Sequence, residues 1–148
     1  MNSKPKSSLE FSEAQLEQYA ENTILEVLPE KTGEDMTTKY VLIKHDYYSS
    51  DNEHGRKILE AFLQNLCSSS FNTIIVYLID TGTKLLDSSN PLYDQMCRLS
   101  ERSEMVIACK ESLDNYHVEI NDEFQVVTQS MKTLTEDLIC FSNLLTLE

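Results

Sequence analysis

The sequence predicts a three-layer α/β/α domain around a mainly parallel sheet of about five strands. Three observations carry this. Tyr40–Ile43, Thr73–Ile79 and Met105–Cys109 are unbroken apolar, β-rich runs, the pattern of strands buried on both faces. Amphipathic helical patterns separate them, so the strands are joined by crossovers rather than hairpins. Only three glycines and three prolines occur in 148 residues, too few for a repeat or linker-rich chain. The chain divides into an N-terminal extension, residues 1–38, and an α/β domain, residues 39–148.

In chain order, residues 1–8 read as a polar tail. Ser12, with Gln15 three positions on, is a capping-box pattern. Leu16, Tyr19 and Ala20 make an apolar stripe, which predicts a helix near 12–22. Residues 23–28 fit an edge strand or more helix, closed by Pro29. Residues 30–38 read as a linker. After the strand at Tyr40–Ile43, Ile58, Leu59, Phe62, Leu63 and Leu66 define one face of a helix over Glu53–Cys67, which Ser68–Ser70 breaks. The strand at Thr73–Ile79 ends in Asp80-Thr81-Gly82, a turn in which the glycine can take positive φ. Asn90 and Pro91 form an N-cap and first helical position, followed by the stripe Leu92, Met96 and Leu99 and an end near Arg102. Met105–Cys109 is the next strand, followed by a short helical turn near 111–116. Phe124–Val127 is a weaker strand. Ser130 caps a helix whose face is Met131, Leu134, Leu138 and Phe141, and Leu144–Leu147 is the last strand.

A net charge of −13 disfavours nucleic acid and anionic membrane. The four cysteines lack C-x-x-C spacing, and no cysteine–histidine set has ligand spacing, so no metal is expected. The absence of G-x-G-x-x-G and P-loop patterns argues against a nucleotide, and no cofactor is expected. The polar start lacks an apolar signal-peptide core, and the apolar runs are too short to span a bilayer. Free thiols then fit a cytoplasmic protein.

In a parallel sheet, reactive groups gather at the carboxyl ends of the strands. Here those ends carry His45 and Asp46, Asp80 to Lys84, and Cys109 to Ser112. Cys109 closes an apolar run just before a helix start, where N–H donors and Lys110 and Lys84 would favour a thiolate. It reads equally as a small buried hydrophobe finishing a strand. Ser112 reads as a helix cap. His45 and Asp46 fit a proton relay, an anion site, or simple solvation of a strand end. Asp80 and Lys84 read as turn residues facing water, and His54 as a surface residue. Cys67, Cys97 and Cys140 fall in helices, and Cys97 and Cys140 read as packing residues.

The ordered motifs Gly55-Arg-Lys-Ile-Leu59, Gly82-Thr-Lys-Leu85, Cys109-Lys-Glu-Ser-Leu-Asp-Asn-Tyr116 and Val127-Thr128 resemble the DsrE-like domain of YedF proteins, a sulfurtransferase-like family of selenium and sulfur metabolism. The resemblance runs from about residue 39 to the end. It implies a sulfur-handling protein that carries sulfur, or selenium, as a persulfide on Cys109. With the groups at the strand ends, the binding positions expected are Lys110, Ser112, His45, Asp46, Gly82 and Lys84. The resemblance also implies a homo-oligomer, dimer or trimer, and protein sulfur donors and acceptors. Ser112 stands where the family has a second cysteine, so a dithiol cycle within the motif is excluded. The loop Ser49–His54 lacks the family's glycines, His117 replaces a family glycine, and residues 1–38 are too short for a TusA-like domain. Loss of the second cysteine and of the loop glycines supports the alternative, a non-catalytic binding or assembly module that keeps the fold without the chemistry.

Overall fold

A computed structural model describes residues 37–148. Contacts divide the chain into two units, Met1–Thr37 and Thr38–Glu148. The expected tail at 1–8, the helix near 12–22, the element at 23–28 and most of the linker at 30–38 lie outside the described residues.

The elements of the second unit are β1 (Thr38–Ile43), α1 (Glu53–Cys67), β2 (Thr73–Leu78), a 3₁₀ segment (Asp80–Leu86), α2 (Tyr93–Arg102), β3 (Met105–Cys109), α3 (Lys110–Asn115), β4 (Val126–Gln129), α4 (Met131–Leu138) and β5 (Leu144–Leu147). The five strands form one sheet in the order β4-β3-β2-β1-β5, and every neighbouring pair is parallel.

Alternate residues of each strand serve opposite faces. On one face Val41, Ile43, Ile74, Val76, Leu78, Val106 and Ala108 pack with Leu59 and Leu63 of α1 and Met96 and Leu99 of α2. On the other, Leu42, Tyr77, Ile107 and Cys109 pack with Leu134 of α4. The result is the expected three-layer α/β/α arrangement, with unequal outer layers. The chain steps from β1 through β4 in one direction, then returns to the far side of β1. Because parallel crossovers share one hand, reversing direction sends the connecting helix to the opposite face. That connection is α4, and it covers its face alone among the described helices.

Several local features depart from the sequence reading. In the Asp80–Gly82 turn positive φ falls on Asp80, at 50°, and not on Gly82. The Asp80–Gly82 turn opens a seven-residue 3₁₀ segment. Helix α2 starts at Tyr93 with Leu92 in the N-cap position, so Asn90 and Pro91 precede it. The Asn90 side chain accepts from the Leu92 N–H at 2.9 Å, an Asx turn leading into the helix. Strand β4 begins two residues later than expected, because Phe124 is a core residue packed edge-on against Tyr93. Ser130 does cap α4, accepting from the Thr133 N–H at 3.2 Å. Met131 is 52% exposed and does not belong to the buried stripe.

Helix α3 ends in a Schellman motif. The Val118 N–H donates to the Leu113 carbonyl at 2.9 Å and the His117 N–H to Asp114 at 3.3 Å. Leu113 and Val118 both contribute to the helix-side core, as the motif requires. His117 sits at the left-handed position, with φ 54°, where glycine is the natural residue.

Candidate functional site

The carboxyl ends of β1, β2 and β3 each deliver one of the predicted groups, but strand order spreads them out. In the register Ile43↔Leu78 and Leu78↔Ala108, β2 separates β1 from β3. Cys109 therefore lies two strand spacings from the end of β1, on the order of 10 Å across the sheet. Its other neighbour is Gln129 of β4, directly opposite in register and on the same face.

Cys109 occupies the N-cap position of α3, yet its side chain does not cap the helix. It turns toward α4 and is only 2% exposed. The thiol donates to Glu111 Oε1 at 3.8 Å. The same oxygen accepts from the Met131 N–H, the first of α4, at 2.7 Å. Glu111 thus ties the thiol to the helix that covers it. Its carboxyl is held below the usual range, first by the Met131 N–H and its own backbone N–H, then with help from Cys109 and Lys110. The charged group on the thiol is therefore a carboxylate, whereas Lys110 pairs with Asp114 at 3.2 Å. Gln129 Oε1, beside this pair, is buried and lacks a hydrogen-bond partner.

A second cluster surrounds Asp80. Its backbone N–H donates to Ser112 Oγ at 2.9 Å, so Ser112 joins the β2 end to α3 instead of capping the helix. The Tyr116 hydroxyl donates to Asp80 Oδ1, and this bond is the leading reason the phenol is pushed above its usual range. Lys84 Nζ lies 4.8 Å over the Tyr116 ring, where water was expected. With Asp87 and Asn90, these two residues border a cavity of about 290 Å³. His45 Nδ1 is 3.1 Å from Thr81 Oγ1 and 3.7 Å from Asp80 Oδ2. Both contacts fall on one ring nitrogen. A hydroxyl–His–carboxylate relay needs the two partners on opposite nitrogens, so this is not a catalytic triad. Asp46 is separate from His45's contacts and accepts from Asn90 Nδ2 at 3.1 Å. Gly82 is buried against the end of β1, and His54 is exposed.

Cys67 and Cys97 pack against the helix-side core, and burial pushes both thiols up. Cys140 is exposed, contrary to the packing expectation, because α4 ends at Leu138. Among the described residues no group of three or more His, Cys, Asp or Glu side chains is arranged to hold a metal, and no helix is long and apolar enough to cross a membrane.

Two residues of this site were missed in the sequence. Glu111 follows Cys109 by two positions, a visible signal, but its second partner is twenty residues on. Gln129 could be found only through the β3–β4 register.

The lowered Glu111 carboxyl has a consequence for pH dependence. Its stabilising effect is fully present above the ordinary glutamate value and is lost as pH falls through the lower folded value. Glu111→Gln should therefore lose less stability than wild type on acidification from neutral pH. Urea denaturation at a series of acidic pH values measures this. Parallel losses in both proteins would refute the assignment.

The fold is shared with solved proteins. The conserved protein of unknown function BT1422 from Bacteroides thetaiotaomicron aligns with a TM-score of 0.53 and 18% identity, over 74% of this chain and 95% of that one. The protein of unknown function MTH1491 from Methanobacterium thermoautotrophicum aligns with a TM-score of 0.53 and 14% identity, over 74% and 97%. The ychN protein from E. coli aligns with a TM-score of 0.47 and 14% identity, over 74% and 98%. The first two define the class: an α/β fold shared with conserved proteins of unknown function. No protein-family model and no curated protein matches the chain.

Proposed function

We propose that this chain is a DsrE-like sulfur-handling protein that carries sulfur as a persulfide on the single thiol of Cys109. The observation that carries the reading is the hydrogen bond from that thiol to Glu111 Oε1 at 3.8 Å, which gives the thiol proton an acceptor within reach. In the proposed step, Cys109 sulfur attacks the outer sulfur of a donor persulfide R–S–SH. The donor S–S bond breaks, a new S–S bond forms on Cys109, and the proton held by Glu111 passes to the leaving R–S⁻. No external oxidant or reductant is needed. Burial of the thiol keeps a persulfide from solvent thiols, and exchange with a protein donor or acceptor requires the start of α4 to move aside. Selenium would follow the same route. Ser112 is engaged with Asp80, consistent with a one-cysteine relay.

The alternative reading, a binding or assembly module without cysteine chemistry, is favoured by the 2% exposure of Cys109. It also draws on the cavity beside Lys84 and Tyr116. One experiment separates the two. The protein is incubated with a low-molecular-weight persulfide, digested, and analysed by mass spectrometry. The expected result is a gain of about 32 Da, one sulfur atom, on the Cys109 peptide. The adduct should be absent from Cys109→Ser and strongly reduced in Glu111→Gln. A folded wild-type protein that gains no sulfur on Cys109 would leave only the second reading.

A further inference from the structure

The cavity beside the 3₁₀ segment, about 290 Å³, lies at the lower limit of small-molecule sites, about 300 Å³. It is bordered by one cation and one anion, Lys84 and Asp87. The two stand three positions apart and do not pair with each other, because each is held by another group. Lys84 Nζ lies 4.8 Å over the Tyr116 ring, and Tyr116 is fixed in turn by its hydroxyl bond to Asp80. Asp87 Oδ1 accepts from the Ser89 N–H at 2.9 Å and from the Ser89 hydroxyl at 2.8 Å. These bonds hold the Asp87 carboxyl below its usual range, so it is ionised at neutral pH.

Both charges keep unused capacity. Among the described residues Lys84 is the one lysine whose ammonium meets neither a carboxylate nor a hydrogen-bond acceptor. In a chain with 25 acidic residues that placement is unusual. The aromatic face holds the ammonium in position and leaves its N–H donors available. Asp87 Oδ2 likewise has no donor among the described residues.

These two charges select the ligand. A plain anion would suit Lys84 but would meet Asp87 and the field of a chain with net charge −13. A plain cation would suit Asp87 but would meet Lys84. A small zwitterion answers both groups and carries no net charge for the field to repel. Pro91, Val118 and the Tyr116 ring add apolar surface for a short side chain.

We infer that this cavity binds a free α-amino acid with a small apolar side chain, its carboxylate on Lys84 and its ammonium on Asp87. The site is separate from Cys109. Val118 packs with the core on the α1 and α2 side of the sheet and Cys109 with the core on the α4 side, so the inference does not depend on the persulfide reading.

A titration of the full isotope-labelled chain with L-leucine at neutral pH, followed by NMR, tests it. The amide signals of Lys84, Asp87, Ser89 and Tyr116 should shift saturably. Isocaproate, which is leucine without its amino group, and isoamylamine, which is leucine without its carboxylate, should each bind at least about tenfold more weakly, since each loses a hydrogen bond between charged groups. Lys84→Met and Asp87→Asn should weaken leucine binding by a similar factor, and the dispersion of their spectra checks that both are folded. Asparagine can still accept from Ser89, so the second variant removes the charge and keeps the turn. The proposal is overturned if leucine produces no saturable shift at these amides, or if isocaproate binds as tightly as leucine, which would make this a simple anion site. Leucine binding unchanged in both folded variants overturns it as well.

Discussion

Leu134→Ala should destabilise the domain by about 3 kcal/mol and open Cys109 to reagents. Leu134 is the one buried residue of α4 and is fully enclosed. It packs with Leu42, Tyr77, Ile107 and Cys109, so it anchors the connection that covers this face of the sheet. Truncation removes its transfer free energy and leaves a cavity between α4 and the sheet. An eight-residue helix has little intrinsic stability with which to compensate. The urea midpoint should fall with the slope unchanged. Alkylation of Cys109 at neutral pH should accelerate at least tenfold, since about 1.4 kcal/mol of easier local opening is a factor of ten. The already exposed Cys140 is the internal control and should react at its wild-type rate. A loss below about 1 kcal/mol, or an unchanged Cys109 rate, would mean that α4 is not what shields the thiol.

The elements most legible in the sequence are those whose limits are set by local chemistry. Met105–Cys109 is an apolar run with polar residues on both sides, and the strand has those bounds. Helix α1 runs from Glu53 to Cys67 because Asn52 caps it and a serine run stops it. Strand β4 was misplaced because an apolar run does not distinguish a ladder residue from a core plug, and Phe124 is the second. The 3₁₀ segment was missed for a different reason. Asp80-Thr81-Gly82 reads as a turn, and its tightening depends on the backbone of β1, forty residues earlier.

The site was less legible than the fold because its bonds are long-range. The sequence brought His45, Asp80 and Cys109 to one edge, which the parallel sheet supports. It could not say that β2 stands between the other two, since crossover helices carry no register. The acid near Cys109 was in view, but a lysine was assigned to the thiol because basic residues stabilise thiolates. Only the path of β4 into α4 brings the Met131 N–H onto Glu111 and fixes the carboxylate beside the thiol.

Gly82→Ala should cost about 3 kcal/mol, through space rather than torsion. Gly82 does not have positive φ, so the peptide geometry itself would accept alanine. A Cβ there would lie 2.3 Å from the Ile43 carbonyl oxygen and 3.1 Å from its carbon. Both are backbone atoms at the end of a central strand, so no side chain can swing aside. Ile43 is fully buried, and its carbonyl accepts from the Ile79 N–H at 3.2 Å. The Gly82 N–H donates to Lys44 O at 3.2 Å and to Ile79 O at 2.9 Å. Relief of the clash must therefore lift the 3₁₀ segment off β1 and weaken bonds at two strand ends. That segment carries Thr81, the partner of His45, and Lys84, the cation over Tyr116, so both contacts should loosen with it. His45→Ala is the control: it removes the half-buried imidazole at the other end of the same contact without touching the backbone and should cost less than about 1 kcal/mol. If Gly82→Ala unfolds at the wild-type urea midpoint, the close approach is not a constraint, and the glycine would then need another explanation, such as room for a ligand at the sheet edge. If it loses the stated stability, the glycine of the Gly82-Thr-Lys-Leu85 motif is accounted for by packing alone.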